Sequence, residues 1–157
     1  MLELLEKVKS SEEFKNKKAY LCSVFIMNDQ VQFSFYDKET KLVTSFRVEN
    51  DKVSIIGKDE KIFQKESKDL EELHLDEIKI DLNKAKEIAN NLVKEKYNNE
   101  TINKEIIILQ VTNKKTIWNI TKISATFNII NIKLNAVSGE IIEDKMESAL
   151  NFKTRPQ

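Results

Sequence analysis

The first candidate for a chemically active side chain is His74, the only histidine in the sequence. Five acidic residues surround it in the chain: Asp69, Glu71, Glu72, Asp76 and Glu77. Imidazole and carboxylate groups together could bind a metal ion or serve as a general base. However, no ligand spacing typical of metal sites recurs, and charged residues are common in connecting segments. We therefore predict a solvated connector here, and a metal-binding protein or enzyme built around His74 is the last of three functional hypotheses.

The second candidate is Cys22, which is the only cysteine. A single cysteine excludes an intramolecular disulfide and a multi-cysteine zinc site. Because Cys22 lies in an apolar run with no histidine nearby in sequence, a buried, unreactive thiol is predicted rather than a nucleophile. The only glycines are Gly57 and Gly139, so a glycine-rich phosphate-binding loop is missing as well. We predict no catalytic residue, no metal and no cofactor.

The charge balance and the hydrophobic pattern predict which classes of partner the chain does not bind. Lys plus Arg and Asp plus Glu both number 26, so no net field attracts nucleic acid or an anionic membrane. Residues 1–7 carry acids where a secretion signal has bases, and no apolar run is long enough for a membrane span. We therefore predict a cytoplasmic protein whose partner is a protein or peptide, with no nucleic-acid or membrane partner.

Hydrophobic periodicity in the first half predicts one helix followed by four strands. The helix starts near Leu2, and a capping box of Ser10 and Glu13 predicts that it restarts or continues through Lys18. The predicted strands are residues 20–27, 31–35, 41–48 and 52–56. Turns are predicted at Asn28-Asp29 and at Asn50-Asp51 because asparagine and aspartate favour such turns.

The second half repeats this order after a charged connector. A short edge strand is predicted over residues 77–80, followed by Asp81 as an N-cap and an amphipathic helix to about Tyr97. The predicted strands are residues 105–111, 116–124, 126–135 and 140–144.

These patterns predict an α+β protein of two tandem units, each a helix packed on an antiparallel β-sheet. The predicted boundaries are residues 1–65 for the first unit, 66–79 for the connector, 80–150 for the second unit and 151–157 for a C-terminal tail. The matching spacing of the two halves suggests an internal duplication, although any two hairpins of ordinary length would match as well. Whether the halves form separate domains or one continuous sheet is left open.

The phrase Asn135-Ala136-Val137-Ser138-Gly139-Glu140-Ile141, which follows an amphipathic helix and a strand hairpin, resembles the closing phrase of the PepSY domain. The resemblance covers roughly residues 80–145, and the first half is similar to a divergent copy. It implies a PepSY-like or cystatin-like α/β roll without catalytic residues, in a family associated with peptidase propeptides and local regulation. Phrases such as residues 32–37 and 118–121 also look like those of small uncharacterised archaeal proteins.

The predicted binding surface is the sheet face that the second helix leaves uncovered. Asn119, Thr121, Asn131 and Lys133 alternate with apolar residues and should share this face, which could bind a peptide or polar ligand or could simply be solvated. Trp118 could be an interface anchor or a core residue. We therefore predict a noncatalytic protein-binding or regulatory module. The alternative is a structural protein that self-assembles through strand edges, as a homodimer for example.

Overall fold

The structure, a computed structural model, describes residues 1–62 and 68–150. The predicted tail at 151–157 and the connector residues before 68 lie outside this part of the chain. Its elements are α1 (Leu2–Ser10), β1 (Tyr20–Met27), β2 (Gln30–Asp37), β3 (Leu42–Glu49), β4 (Lys52–Lys61), a 3-10 turn (Leu75–Glu77), α2 (Leu82–Lys96), β5 (Ile102–Thr112), β6 (Lys115–Ser124), β7 (Asn128–Asn135) and β8 (Ile141–Ser148). The predicted positions of α2 and of the eight strands are confirmed to within a few residues.

The strands form one continuous antiparallel sheet, so the prediction of two tandem helix-on-sheet units is wrong. The order across the sheet is β4-β3-β2-β1-β5-β6-β7-β8. The first four strands join the last four through β1 and β5, which pair antiparallel from Ser23 opposite Gln110 to Ile26 opposite Ile107. The molecule is therefore built mostly from a single eight-stranded sheet, and the two helices of the described residues are short additions to it.

The composition of the strands explains why β1 and β5 meet at the centre. Residues 20–27 of β1 and 106–111 of β5 contain no charged side chain, so these paired stretches can bury their backbone groups between neighbours without burying charge. The outer strands β4 and β8 instead carry several lysine, aspartate and glutamate residues, which is typical of sheet edges. The apolar strands therefore lie at the centre of the sheet, and the charged strands lie at its edges.

The hydrophobic core lies between one face of the sheet and the two helices. The buried residues of the helices are Leu5, Val8, Ala85, Ala89 and Val93. They belong to one cluster with inward-facing strand residues such as Phe33, Leu109 and Ile132. Helix α2 begins as predicted at Asp81, whose Oδ1 accepts a hydrogen bond from the Lys84 backbone N–H at 2.8 Å. We call this the helix face of the sheet.

Helix α1 ends at Ser10, so the predicted extension through Lys18 is wrong. The Ser10 hydroxyl donates back to the Glu6 carbonyl at 2.6 Å instead of capping a new helix. Ser11 is extended, with φ −76° and ψ 156°, and its hydroxyl donates to the Val8 carbonyl. Both hydroxyls therefore satisfy carbonyls at the end of α1, and no capping box forms.

The predicted hairpin turns are confirmed. Asn28 and Asp29 have φ values of 50° and 62°, and Asn50 and Asp51 have 49° and 62°. Two consecutive residues with positive φ are the signature of the type I′ turn, whose twist matches that of the flanking strands. Asparagine and aspartate tolerate this region better than most residues, which is why the sequence pattern located the turns.

The glycine phrase of the second half closes a turn against the start of α2. The Asn135 side chain accepts hydrogen bonds from the Val137 and Ser138 backbone N–H groups at 2.8 and 3.0 Å. Gly139 has φ +79°, and a Cβ there would lie 3.2 Å from the Ile80 side chain. Asn135 therefore stabilises the turn, and glycine is required at position 139 both by its φ value and by the nearness of Ile80.

The described part of the connector wraps around one end of the sheet. Leu73 donates its backbone N–H to the Leu21 carbonyl at 2.8 Å, and the Leu73 side chain is buried in the core. The predicted edge strand at 77–80 is wrong, because Lys79 and Ile80 donate their backbone N–H groups to the same Ala136 carbonyl. A single shared acceptor anchors the chain there without forming a strand ladder.

Candidate binding face

Four of the five residues predicted to bind lie together, and the fifth lies on the opposite side of the sheet. Asn119 pairs with Lys133, and Thr121 pairs with Asn131, in the register of β6 and β7. All four side chains are partly exposed and point away from the helices. Trp118 is 1% exposed and points into the core. We call the helix-free side of the sheet the open face.

Asn119, Thr121 and Asn131 form an amide cluster at the middle of the open face. The Asn131 side-chain nitrogen donates to Asn119 Oδ1 at 2.6 Å and to Thr121 Oγ1 at 3.0 Å. Both donor hydrogens of Asn131 are therefore used within the cluster. Within the described residues, the Asn119 amide nitrogen and Asn131 Oδ1 have no hydrogen-bond partner. The cluster thus presents a donor and an acceptor side by side to the solvent.

Lys133 lies next to the amide cluster and pairs with β8. Its Nζ is 3.4 Å from the Glu143 carboxylate, and both side chains are about one-third to one-half exposed, at 34% and 46%. An ion pair with this exposure contributes little to stability, because solvent screens it. Lys133 can therefore exchange Glu143 for an acidic group on a partner at small cost.

Apolar residues on the two central strands complete the open face, and the sequence reasoning did not select them. Phe25 on β1 pairs with Ile108 on β5, and Ile108 pairs with Asn119. Ile106 pairs with Thr121 in the same register, and all three apolar side chains are only partly buried. Residues 106–109 are all apolar, so the sequence of β5 does not show which of them face the helices. Only the pairing of β1 with β5 shows that the three residues are neighbours.

The open face is large enough for a macromolecular partner. Eight strands about 4.8 Å apart and about eight residues long, at about 3.3 Å per residue, span roughly 900 Å². The connector covers one corner, where the Tyr36 hydroxyl donates to Asp69 Oδ1 at 2.8 Å. A stable protein interface buries about 800 Å² on each partner. The uncovered remainder is thus comparable in size with one side of a modest interface.

His74 is exposed, and two of its acidic neighbours have other partners. His74 Nε2 lies 3.7 Å from the Glu72 carboxylate, with both side chains about half exposed. Asp69 accepts from Tyr36 and Lys41, and the Glu71 carboxylate accepts the Lys114 backbone N–H. Across residues 1–62 and 68–150, no three His, Cys, Asp or Glu side chains converge in a way that could hold a metal ion.

Cys22 is buried, and its environment keeps the thiol protonated. The Sγ atom lies 3.2 Å from the Ser34 carbonyl oxygen, to which it donates a hydrogen bond. Burial raises the pKa of the Cys22 thiol from 9.0 to about 11. Because the thiolate is the reactive form, this environment disfavours nucleophilic chemistry at neutral pH.

Native Cys22 is expected to react with iodoacetamide at pH 8 about a hundredfold more slowly than Cys22 in the unfolded chain. A rise in the thiol pKa from 9.0 to about 11 lowers the thiolate fraction at pH 8 roughly a hundredfold. Burial also slows the access of iodoacetamide to the sulfur. Mass spectrometry of alkylated protein, with and without 8 M urea, measures both rates. Equal rates in the two conditions would contradict the buried position.

Comparison with known proteins shows that a solved structure has a similar fold. No protein-family model and no curated protein matches the sequence. A crystal structure of a "putative lipoprotein" from Clostridium difficile 630 superposes with a TM-score of 0.63, covers 93% of this chain and 91% of that chain, and is 19% identical in sequence. At that identity the likeness shows the fold alone.

Neither α1 nor α2, the two helices of the described residues, has the length and apolar character needed to span a bilayer.

Proposed function

We propose that this protein is a noncatalytic binding module that holds a polypeptide partner against the open face of its sheet. The observation that carries the proposal is the convergence of the amide cluster, Lys133 and the apolar residues of β1 and β5 on one uncovered surface. The resemblance to PepSY domains, a family of noncatalytic modules, supports the same conclusion. The cytoplasmic location stays a prediction.

The chemistry of the amide cluster suits a peptide group. The Asn119 amide nitrogen can donate to a peptide carbonyl, while Asn131 Oδ1 can accept a peptide N–H. The hydrogen bonds from Asn131 to Asn119 and Thr121 hold both groups in place before a partner arrives. This preorganisation lowers the entropic cost of binding.

The apolar neighbours and Lys133 would select among peptides. Phe25, Ile106 and Ile108 lie beside the amide cluster and would bury large apolar side chains of the partner. Lys133, with only a half-exposed ion pair to Glu143, would favour an acidic residue. The preferred ligand is therefore an extended peptide that carries both large apolar residues and an acidic one.

Replacing Asn131 with aspartate is expected to weaken peptide binding at least tenfold. Aspartate has the same shape but cannot donate to Asn119 and Thr121, so the amide cluster loses its arrangement and gains a negative charge that repels acidic peptides. Peptides selected from a random displayed library on the immobilised chain provide the probes, and fluorescence anisotropy measures Kd. Each loss of about 1.4 kcal/mol corresponds to a factor of ten.

The matched control is Asn91→Asp, which makes the same change at an exposed position on α2. It should leave Kd unchanged, while Ile108→Ser should weaken binding as Asn131→Asp does. The open face is the wrong surface if the selected peptides bind Asn131→Asp and Ile108→Ser as tightly as the unmodified chain. Circular dichroism of each variant separates a loss of binding from a loss of folding.

A further inference from the structure

The edge strand β8 carries two exposed apolar side chains, and three others lie in the chain near its ends. Large hydrophobic residues exposed in this region are Phe127, Val137, Ile142, Met146 and Leu150. They lie on β8 itself or in the chain just before and after β7 and β8. Phe127 is 60% exposed and has φ 62°, a backbone region that costs free energy for an aromatic residue. An apolar row beside an unpaired strand edge marks a place where another strand could add.

The other free edge, β4, is shaped differently. Its pairing with β3 shifts register twice, between Val43 and Ser45 and between Ser45 and Phe46. Asp59, near its end, has φ 49°. Such irregularities bend an edge strand and disfavour pairing with another chain. The single shift in β8 lies at its start, opposite Lys133 and Leu134, and leaves residues 143–148 regular.

The sequence of β8 is complementary to itself in one antiparallel register. When two copies of the strand are centred on Asp144, Glu143 of each copy lies opposite Lys145 of the other. Ile142 lies within the register shift at the start of β8, near Met146 of the other copy. Facing residues of antiparallel strands lie on the same side of the sheet. The two ion pairs therefore form on the open face, whereas Asp144 and Met146 lie on the helix face.

The centre of this register places two Asp144 residues opposite each other, and each is already compensated within its own chain. Lys96 Nζ lies 2.7 Å from Asp144 Oδ1, and the Tyr97 hydroxyl donates to the same atom at 2.6 Å. The Lys96 ammonium balances the charge of the Asp144 carboxylate. Each copy therefore brings a Lys96–Asp144 pair of zero net charge to the dimer axis. The repulsion expected between bare carboxylates is thereby removed.

The proposed register applies to the strand itself. Residues 136–138 form a turn and β8 ends at Ser148, so only residues 141–148 can pair in this way. Phe127 lies beside the end of β8 on the side of β7, because its carbonyl accepts the Ala149 backbone N–H at 2.7 Å.

We propose that the protein forms a two-fold symmetric homodimer by antiparallel pairing of β8 with β8 of a second copy, which joins the two sheets into one of sixteen strands. The interface is isologous, so each contact occurs twice. It leaves the amide cluster and the apolar residues of β1 and β5 uncovered, and the one group it shares with the proposed peptide site is Glu143, the partner of Lys133. A failure of either proposal leaves the other in place.

Charge exchange across the dimer axis tests this arrangement. The full chain is expected to sediment as a dimer, and Lys145→Glu should weaken dimerisation about tenfold or more, because two ion pairs become two repulsive pairs. Adding Glu143→Lys to Lys145→Glu should restore the dimer, because the opposite charges face each other again. Sedimentation equilibrium over a range of concentrations gives the dissociation constant for each protein.

The control is Ile55→Glu, which places a charge at an exposed apolar residue of the other edge strand and should leave the dimer unchanged. A monomer at all concentrations up to about 1 mM would overturn the proposal. So would a dimer that Lys145→Glu leaves intact, or one that the double exchange fails to restore while circular dichroism shows every variant folded. Slower hydrogen exchange of β8 amides at high protein concentration is expected with the dimer.

Discussion

Replacing Trp118 with alanine is expected to lower the free energy of unfolding by about 3–5 kcal/mol. Trp118 is 1% exposed and is among the largest buried side chains of the described residues. Alanine would leave a cavity between β6 and the start of α2, which the surrounding sheet could only partly fill. Urea denaturation followed by circular dichroism measures the change.

The indole nitrogen accounts for a separate part of this effect. Trp118 Nε1 donates to the Ile80 carbonyl at 2.8 Å, which ties β6 to the residues just before α2. Trp118→Phe keeps a large ring but removes this donor, so a smaller loss of about 1–3 kcal/mol is expected. If alanine instead left stability unchanged and weakened peptide binding, Trp118 would be an interface anchor and not a core residue.

Replacing Glu105 with glutamine is expected to lower the free energy of unfolding by about 3 kcal/mol, because it removes the charge that balances a buried lysine. Lys122 is 3% exposed on the helix face, and its ammonium contacts the Glu105 carboxylate directly across the β5–β6 ladder. Its other partner is Asn90 Oδ1 on α2, at 2.8 Å, which carries no charge. A buried ammonium without a counter-charge is strongly destabilising.

The double variant Glu105→Gln/Lys122→Met distinguishes this explanation from a general loss of packing. Methionine is similar in length to lysine and has no charge, so the double variant should regain most of the stability lost in Glu105→Gln. Thermal unfolding by calorimetry compares the three proteins. If the single and double variants were equally unstable, the ion pair would not be the cause.

Local patterns were sufficient to locate most elements. Asn28-Asp29 and Asn50-Asp51 were assigned to turns because their side chains favour positive φ, and both have it. Asp81 was assigned as an N-cap because its carboxylate can accept a backbone N–H, and it does. The extension of α1 was wrong because Ser10 can bond backward to a carbonyl as readily as it can cap forward, and sequence spacing does not distinguish the two.

Part of the candidate site was also predictable from local sequence patterns. Alternation along one strand shows which residues share a face, so Asn119 and Thr121 were grouped correctly. Trp118 was left open between an interface and the core, and the structure places it in the core. Lys122 lies on the same face of the sheet as Trp118, and its burial beneath α2 was not predicted. A buried lysine depends on a counter-charge from another strand, here Glu105, and no pattern within β6 contains that information.

The sequence by itself determined the positions of α2 and of the eight strands, two of the hairpin turns, and the scarcity of residues suited to catalysis, because these depend on side chains within a few positions of each other. The tertiary structure alone decided that β1 pairs with β5, and hence that the halves form one sheet. That pairing joins residues more than eighty positions apart, and several apolar strands could have competed for the same place. Only packing and hydrogen bonding across the whole chain select among them.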